Sequence, residues 1–390
     1  MTDLFKSYID MKLNMSSIPK WLIEYKQKEF KEFRETEFEA NPLFKKDSEA
    51  REKVFLNEEE IISYLMNQRL DNTANYRFNK KSEDIIDRDI ILMEETDPLR
   101  SWVEYQDAYS DKMRHLDNAL FTPGRVINIS GGGTKELDLT ETTKGKLEIS
   151  KDVFYVDNEN MAKIILELTN SVENAKIYKN IDIFTGENSR LTILIKQNFE
   201  ADAIALINIG IHSKGDIEII SVDKGGKTIR YKIYAELLSD NSSYKENKIM
   251  ICSGKQDIDV TDLVRHVGKG TKSLVNFRTS AEGEAKVVIK EVITIEKEAE
   301  NSDAFLSSDG IILSENTKIN SIPALEIRTS NVKAKHSAST KHLDYQSEVY
   351  CLSRGIDEED TKKLTVGGFL FGGLDLKDEE LKERIEMSNV

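Results

Sequence analysis

The chain has 390 residues, 55 Lys and Arg against 70 Asp and Glu, a formal charge of −15 and a pI near 5.1. That length predicts two or three folded units with enough chain to bury a substantial core. With 39% apolar residues, 32% charged residues and a mean hydropathy of −0.48, no run approaches the roughly 18 apolar residues of a spanning helix, so a membrane protein is excluded. The carboxylate excess disfavours duplex nucleic acid, which wants a basic surface. Two cysteines, Cys252 and Cys351, exclude a disulfide framework and a Cys-only metal site. The start Met1-Thr2-Asp3-Leu4-Phe5-Lys6 has no secretory or transit pattern, and a cytoplasmic chain is expected.

Residues 1–125 hold both tryptophans and four of the five prolines, and they read as mostly helical. Apolar Leu22, Ile23, Phe30 and Phe33 with charges between them predict an amphipathic helix, with Pro19 in its first turn and Ser16 or Ser17 as cap. Asn57 before Glu58-Glu59-Glu60 predicts a second helix start. A third helix is expected from Pro98 through Trp102, Tyr105, Tyr109 and Met113 to Leu120.

After Gly124 the texture changes to short β-branched runs, among them Lys163–Leu168, Leu191–Ile195, Ile204–Ile211, Ile217–Val222, Thr228–Tyr234, Lys248–Ile251, Ser273–Phe277, Val287–Ile289 and Val292–Ile295. Turn signals such as Gly186-Glu187-Asn188, Lys224-Gly225-Gly226 and Glu282-Gly283-Glu284 punctuate them. No helix-length segment separates the strands, which disfavours a doubly wound sheet and leaves a sandwich, a barrel or a β-solenoid. There is no strict repeat to prove a solenoid, and only the length of the strand-rich region leans that way. From about residue 340 helix returns. Asp344 caps a helix ending at Gly355, Asp357 starts the next, and a charged helix over 378–387 closes the chain.

A search for chemistry finds little. Gly131-Gly132-Gly133-Thr134 lacks the spacing and lysine of a phosphate loop and reads as a turn. Cys252, in the apolar run from Ile249, reads as a buried small hydrophobe, and Cys351 as part of a helix. His336 and His342, six apart, are not a same-face helical pair, and His266 reads as an ordinary hydrogen-bonded histidine.

One stretch changes this picture. Pro323-Ala324-Leu325-Glu326-Ile327, then His336-Ser337-Ala338-Ser339, Leu343-Asp344, Tyr350-Cys351-Leu352-Ser353-Arg354-Gly355-Ile356 and Val366-Gly367-Gly368-Phe369 resemble the C-terminal signature of the SufB/SufD family of iron–sulfur cluster assembly proteins. Leu116-Asp117-Asn118-Ala119-Leu120 and the set Asp262, His266 and Ser273 echo it more weakly. The resemblance implies a mainly β chain: a right-handed parallel β-helix core (126–335) between a helical N-terminal domain (1–125) and a small helical C-terminal domain (336–390). It implies a non-catalytic scaffold working with a SufC-like ABC ATPase and a SufB-like subunit or a second copy of itself, an iron–sulfur cluster forming transiently at the subunit junction.

By the same resemblance, SufB-type chains carry an assembly cysteine where Ser308 stands here, and Glu rather than Ser337 after the motif histidine, so the chain is expected to be SufD-like. A serine hydroxyl cannot replace a thiolate as sulfur acceptor or soft iron ligand. His336 becomes the candidate for the junction, as iron ligand or assembly aid, with His266 secondary. Leu364, Phe369, Leu370 and Phe371 are the candidate docking residues for the ATPase, or else close the end of the β-helix. The competing expectations are a SufB-like principal scaffold with atypical ligands and a β-helix protein that binds polysaccharide.

Overall fold

A computed structural model describes residues 18–36, 76–105, 110–122, 124–343, 345–374 and 379–386. From β3 (Gly124–Ile129) to β18 (Lys333–His342) the chain alternates strictly between two nine-stranded sheets, even-numbered strands in one and odd-numbered strands in the other. From β3 onward each strand pairs in parallel with the strand two places along the chain. Strands that skip one sequence neighbour and lie parallel in both sheets make a stacked-coil solenoid, which decides among the three architectures left open by pattern. There are eight coils, from β3 with β4 (Thr134–Thr143) to β17 (Lys318–Ile327) with β18.

Every strand from β4 to β18 has ten residues, and alternate side chains point into the bore. Along the even sheet, Leu137, Ile164, Ile193 and Ile219 stand in register, then Glu246, Val275, Leu306 and finally His336. Each inward aliphatic side chain covers the one below it, and the result is a continuous, almost fully buried core. The offset between paired residues varies from 24 (Ile204 to Thr228) to 32 (Lys286 to Lys318). The strands are constant and the turns are not, which hides the repeat in the sequence. Val287–Ile289 and Val292–Ile295, read as two runs, are one strand, β15 (Lys286–Ile295).

The N-terminal region departs from expectation. The helix Lys20–Glu35 forms as predicted, burying Trp21, Leu22, Ile23, Phe30 and Phe33. Residues 76–89 instead form two strands, β1 (Tyr76–Lys81) and β2 (Ile85–Asp89), which pair antiparallel with β4 and β3. They cover the first edge of each sheet, a position where unpaired backbone would otherwise invite association. The single helix expected over 98–120 is broken into Arg100–Val103 and Lys112–Leu120, because the Asp111 carboxylate accepts the amides of Met113 and Arg114 and starts a new helix. The expected helix from Asn57 and the caps Ser16, Ser17 and Asp344 lie outside the described residues.

Both outer faces of the solenoid are partly covered. Lys112–Leu120 lies on the odd sheet through a buried polar seam. There Asn208 donates to Asp117 (2.7 Å) and Asn180 (2.9 Å), Asn180 and Lys151 donate to Asn118 (3.0 and 2.9 Å), and Arg114 pairs with Asp182. Burial alone raises the Asp182 carboxyl, but the Arg114 and Lys151 cations more than reverse this and hold it to about 2. The even sheet is covered from the other end of the chain. Val366 and Leu370 of the helix Glu358–Phe371, with Leu381 and Ile385 of the helix Glu379–Glu386, pack on Ile165, Leu194, Ile220, Val222 and Ile249.

Gly210 sits under the Arg114–Asp182 pair. A Cβ there would lie 2.6 Å from Asp182 Oδ1 and 2.7 Å from Arg114 Nη2. Gly210→Ala therefore forces apart a buried ion pair, and it should cost about 1–3 kcal/mol in urea unfolding. An unchanged midpoint would contradict this packing.

Candidate functional site: the terminal coil

The last coil is β17 and β18, laid on β15 and on β16 (Asp303–Ile312). β18 reads Lys-Ala-Lys-His-Ser-Ala-Ser-Thr-Lys-His, with almost nothing apolar, and only Ala334 packs on the core. Its register with β16 is nonetheless complete, from Asp303 with Lys333 to Ile312 with His342. A hydroxyl ladder on its outer side helps hold it, Ser337 donating to Ser307 (3.0 Å) and Ser339 to Asp309. Lysines 333, 335 and 341 and Pro323 of β17 are the residue types that guard a free sheet edge against indiscriminate pairing.

His336 stands directly over Leu306, at the inward ladder position occupied by aliphatic residues in six of the seven coils below. No further coil of this chain covers it among the described residues, and the imidazole is exposed. It therefore faces out of the mouth of the bore, where a second coil surface would meet it. His342 shares that face of β18, but six residues of extended chain separate the two rings by about 20 Å, so they do not share one ion. Among the described residues no three His, Cys, Asp or Glu side chains converge to hold a metal ion.

The other candidate positions lie elsewhere. Ser308 is inward-facing and buried on β16, one strand below the mouth and opposite Ala338. His266 is fully buried at the end of β13 (Asp257–His266), its Nδ1 bonded to Thr271 Oγ1 and its Nε2 to Ser273 Oγ, both at 2.8 Å. The pattern Asp262, His266 and Ser273 thus lies inside the solenoid. Cys252 is a core residue whose thiol burial pushes up to about 12. Leu370 is buried on the even sheet, Phe369 and Phe371 are half-buried beside it, and Leu364 is 59% exposed on the other side of the same helix. Val349, Tyr350 and Leu352 of the helix Tyr345–Ser353 are also exposed. Asp357 caps the Glu358–Phe371 helix as expected, and the helix continues through Gly367 and Gly368.

Residues 140–369, from β4 to the helix Glu358–Phe371, match the family model described as SUF system FeS cluster assembly, SufBD core domain. The chain belongs to the SufBD family. A SufBD family protein of Staphylococcus saprophyticus is 20% identical over 411 residues, covering 92% of this chain and 86% of that one. SufD of Escherichia coli is 22% identical over 162 residues, 41% of this chain and 38% of its own. A SufBD family protein of Porphyra purpurea is 25% identical over 145 residues, 37% and 30%. In two of these three relatives the matched stretch is less than half of the relative's own length. No described helix is long and apolar enough to cross a membrane.

The buried histidine gives a pH prediction. Burial lowers the His266 imidazole to about 4, so the folded chain keeps it neutral while the unfolded chain protonates near pH 6.5. Its contribution is complete above pH 6.5 and is lost as pH falls toward 4, an effect on the order of 3 kcal/mol. An NMR titration should find that ring neutral at pH 5, and His266→Gln should flatten this part of the stability profile.

Proposed function

We propose that this SufBD chain is a SufD-like scaffold subunit that joins a SufB-like partner through its terminal coil and presents His336 to the growing cluster. The observation that carries this reading is the placement of His336: a polar ring at an aliphatic ladder position, on the coil whose upper surface no described strand covers. The cluster is cargo here. This chain offers an imidazole, a borderline ligand suited to iron, and the thiolates come from the partner. The buried Ser308 supports the SufD-like assignment, because the position that resembles the assembly cysteine of SufB-type chains carries a hydroxyl that is no soft-metal ligand.

The C-terminal helices are the docking element for a SufC-like ATPase in this reading. Leu370 and Val366 fasten the helix Glu358–Phe371 to the even sheet, and Arg278 donates to the Phe369 carbonyl (3.0 Å). Leu364, Val349, Tyr350 and Leu352 stay exposed as apolar anchors for a partner. A pull on those helices is transmitted to the even sheet through the Leu370 seam. The subunit catalyses nothing itself; ATP hydrolysis belongs to the ATPase.

Co-expression of a tagged copy with the SufC and SufB homologues of its own organism should retain both, and retention of neither would overturn the reading. His336→Ala should leave the fold and both partners in place and lower cluster formation by the assembled complex roughly tenfold or more, the scale seen for loss of a metal-site group. Leu364→Asp should release the ATPase and keep the SufB-like partner.

A further inference from the structure

The bore carries charged groups in two places, and the two are built differently. Near the N-terminal end, Lys179 reaches both Glu141 and Asp152 at 2.6 Å, one cation between two carboxylates. In the C-terminal half, Lys248 is paired with Asp223, and three more carboxylates face inward: Glu246 on β12 (Ser243–Cys252), Asp262 on β13 and Glu291 on β15. All three are at most 1% exposed. Asp262 and Glu291 stand in register on adjacent parallel strands, about 4.8 Å apart along the ladder. Among the described residues neither oxygen of Asp262 has a hydrogen-bond partner, and Glu291 Oε1 has none.

Two carboxylates stacked in register inside an apolar bore cannot both be charged without a cation, and Lys248, the cation that acts on Asp262, is already committed to Asp223. We propose that the Asp262 and Glu291 carboxyls bind protons at neutral pH, and that their ionisation governs how tightly the terminal coil is held. The link to that coil is direct: Ser321 of β17 donates to Glu291 Oε2 (3.3 Å). Glu291 is the inward residue on which Pro323 of β17 is stacked.

The groups facing Glu291 are Glu246 from β12, Asp262 from β13, Ser308 from β16 and Ser321 from β17; Asp309 acts on it from the outer side of β16, Lys248 acts on Glu246 and Asp262, and Tyr244 and Asp223 act on Glu246. Burial, reinforced by the neighbouring Glu246, pushes the Glu291 carboxyl up to about 8, and burial with the Glu246 and Glu291 charges raises the Asp262 carboxyl well above the usual carboxylate range. The sign follows. A carboxyl protonated in the fold but ionised when opened releases its proton to the buffer on opening. The opening constant of β17 and β18 should therefore rise with pH up to about 8, and level off beyond.

Hydrogen exchange of the full chain, corrected for intrinsic rates, tests this on peptides spanning 318–343. In the wild type the opening constant should climb by up to about tenfold per pH unit between 6 and 8. Glu291→Gln should be flat, with greater protection at pH 8. Infrared difference spectra should show the carbonyl band of protonated carboxyls in the wild type at pH 7, diminished in Glu291→Gln and in Asp262→Asn. The same pH dependence in wild type and Glu291→Gln, or no such band in the wild type, overturns the proposal. Should Glu291→Gln fail to fold, Asp262→Asn and the wild-type spectrum decide it. None of these readouts depends on a partner, a cluster or the role of His336.

Discussion

In-register stacking of inward side chains is the contact on which this molecule depends. A fully buried Ile or Leu is worth about 1.5–3 kcal/mol, and each one here is buried only because the next coil lies over it. That leaves a problem at each end of the column. At the first coil β1 and β2 solve it with antiparallel strands. At the last coil no described strand does, and the residues change character instead: His336 replaces an aliphatic, lysines and hydroxyls line the edge, and β18 keeps its place through complete pairing with β16.

The two outer faces are each covered in part by the chain's own helices. On both sides the attachment combines apolar and polar contacts. On the odd sheet a seam of Asn, Asp, Arg and Lys side chains and a cluster with Leu116 and Leu120 against Ile149, Val153 and Leu206 hold Lys112–Leu120, and the polar network is directional and fixes one docking position. On the even sheet the C-terminal helices rest on an aliphatic patch and are tied by Arg384 to Asp138 and by Arg278 to the Phe369 carbonyl.

Much of this was legible in the sequence, for identifiable reasons. The strands rich in Ile and Val, the Asp357 cap and the Gly355 stop carry local signals strong enough to survive without tertiary context. The solenoid itself was not legible from periodicity, because coil offsets between 24 and 32 residues blur any repeat. β1 and β18 were invisible because Tyr-Arg-Phe-Asn-Lys-Lys alternates only over its first four residues and the Lys333–His342 run has no apolar alternation, and only pairing with a neighbour makes them strands. The helix break at Asp111 was missed because its apolar spacing continues across it. His336 was found through family resemblance alone. Its geometric distinction, ending an aliphatic ladder, exists only once the register is known. The in-register meeting of Asp262 and Glu291 is invisible for the same reason.

In the proposed assembly the end of the ladder that no described strand covers is a subunit junction. A benzophenone photocrosslinker placed at position 336, in the chain co-expressed with its SufB-like and SufC-like partners, tests it most directly. The account predicts an adduct to the terminal-coil region of the SufB-like subunit. Attachment only to the probe's own chain, or to the ATPase, would contradict it.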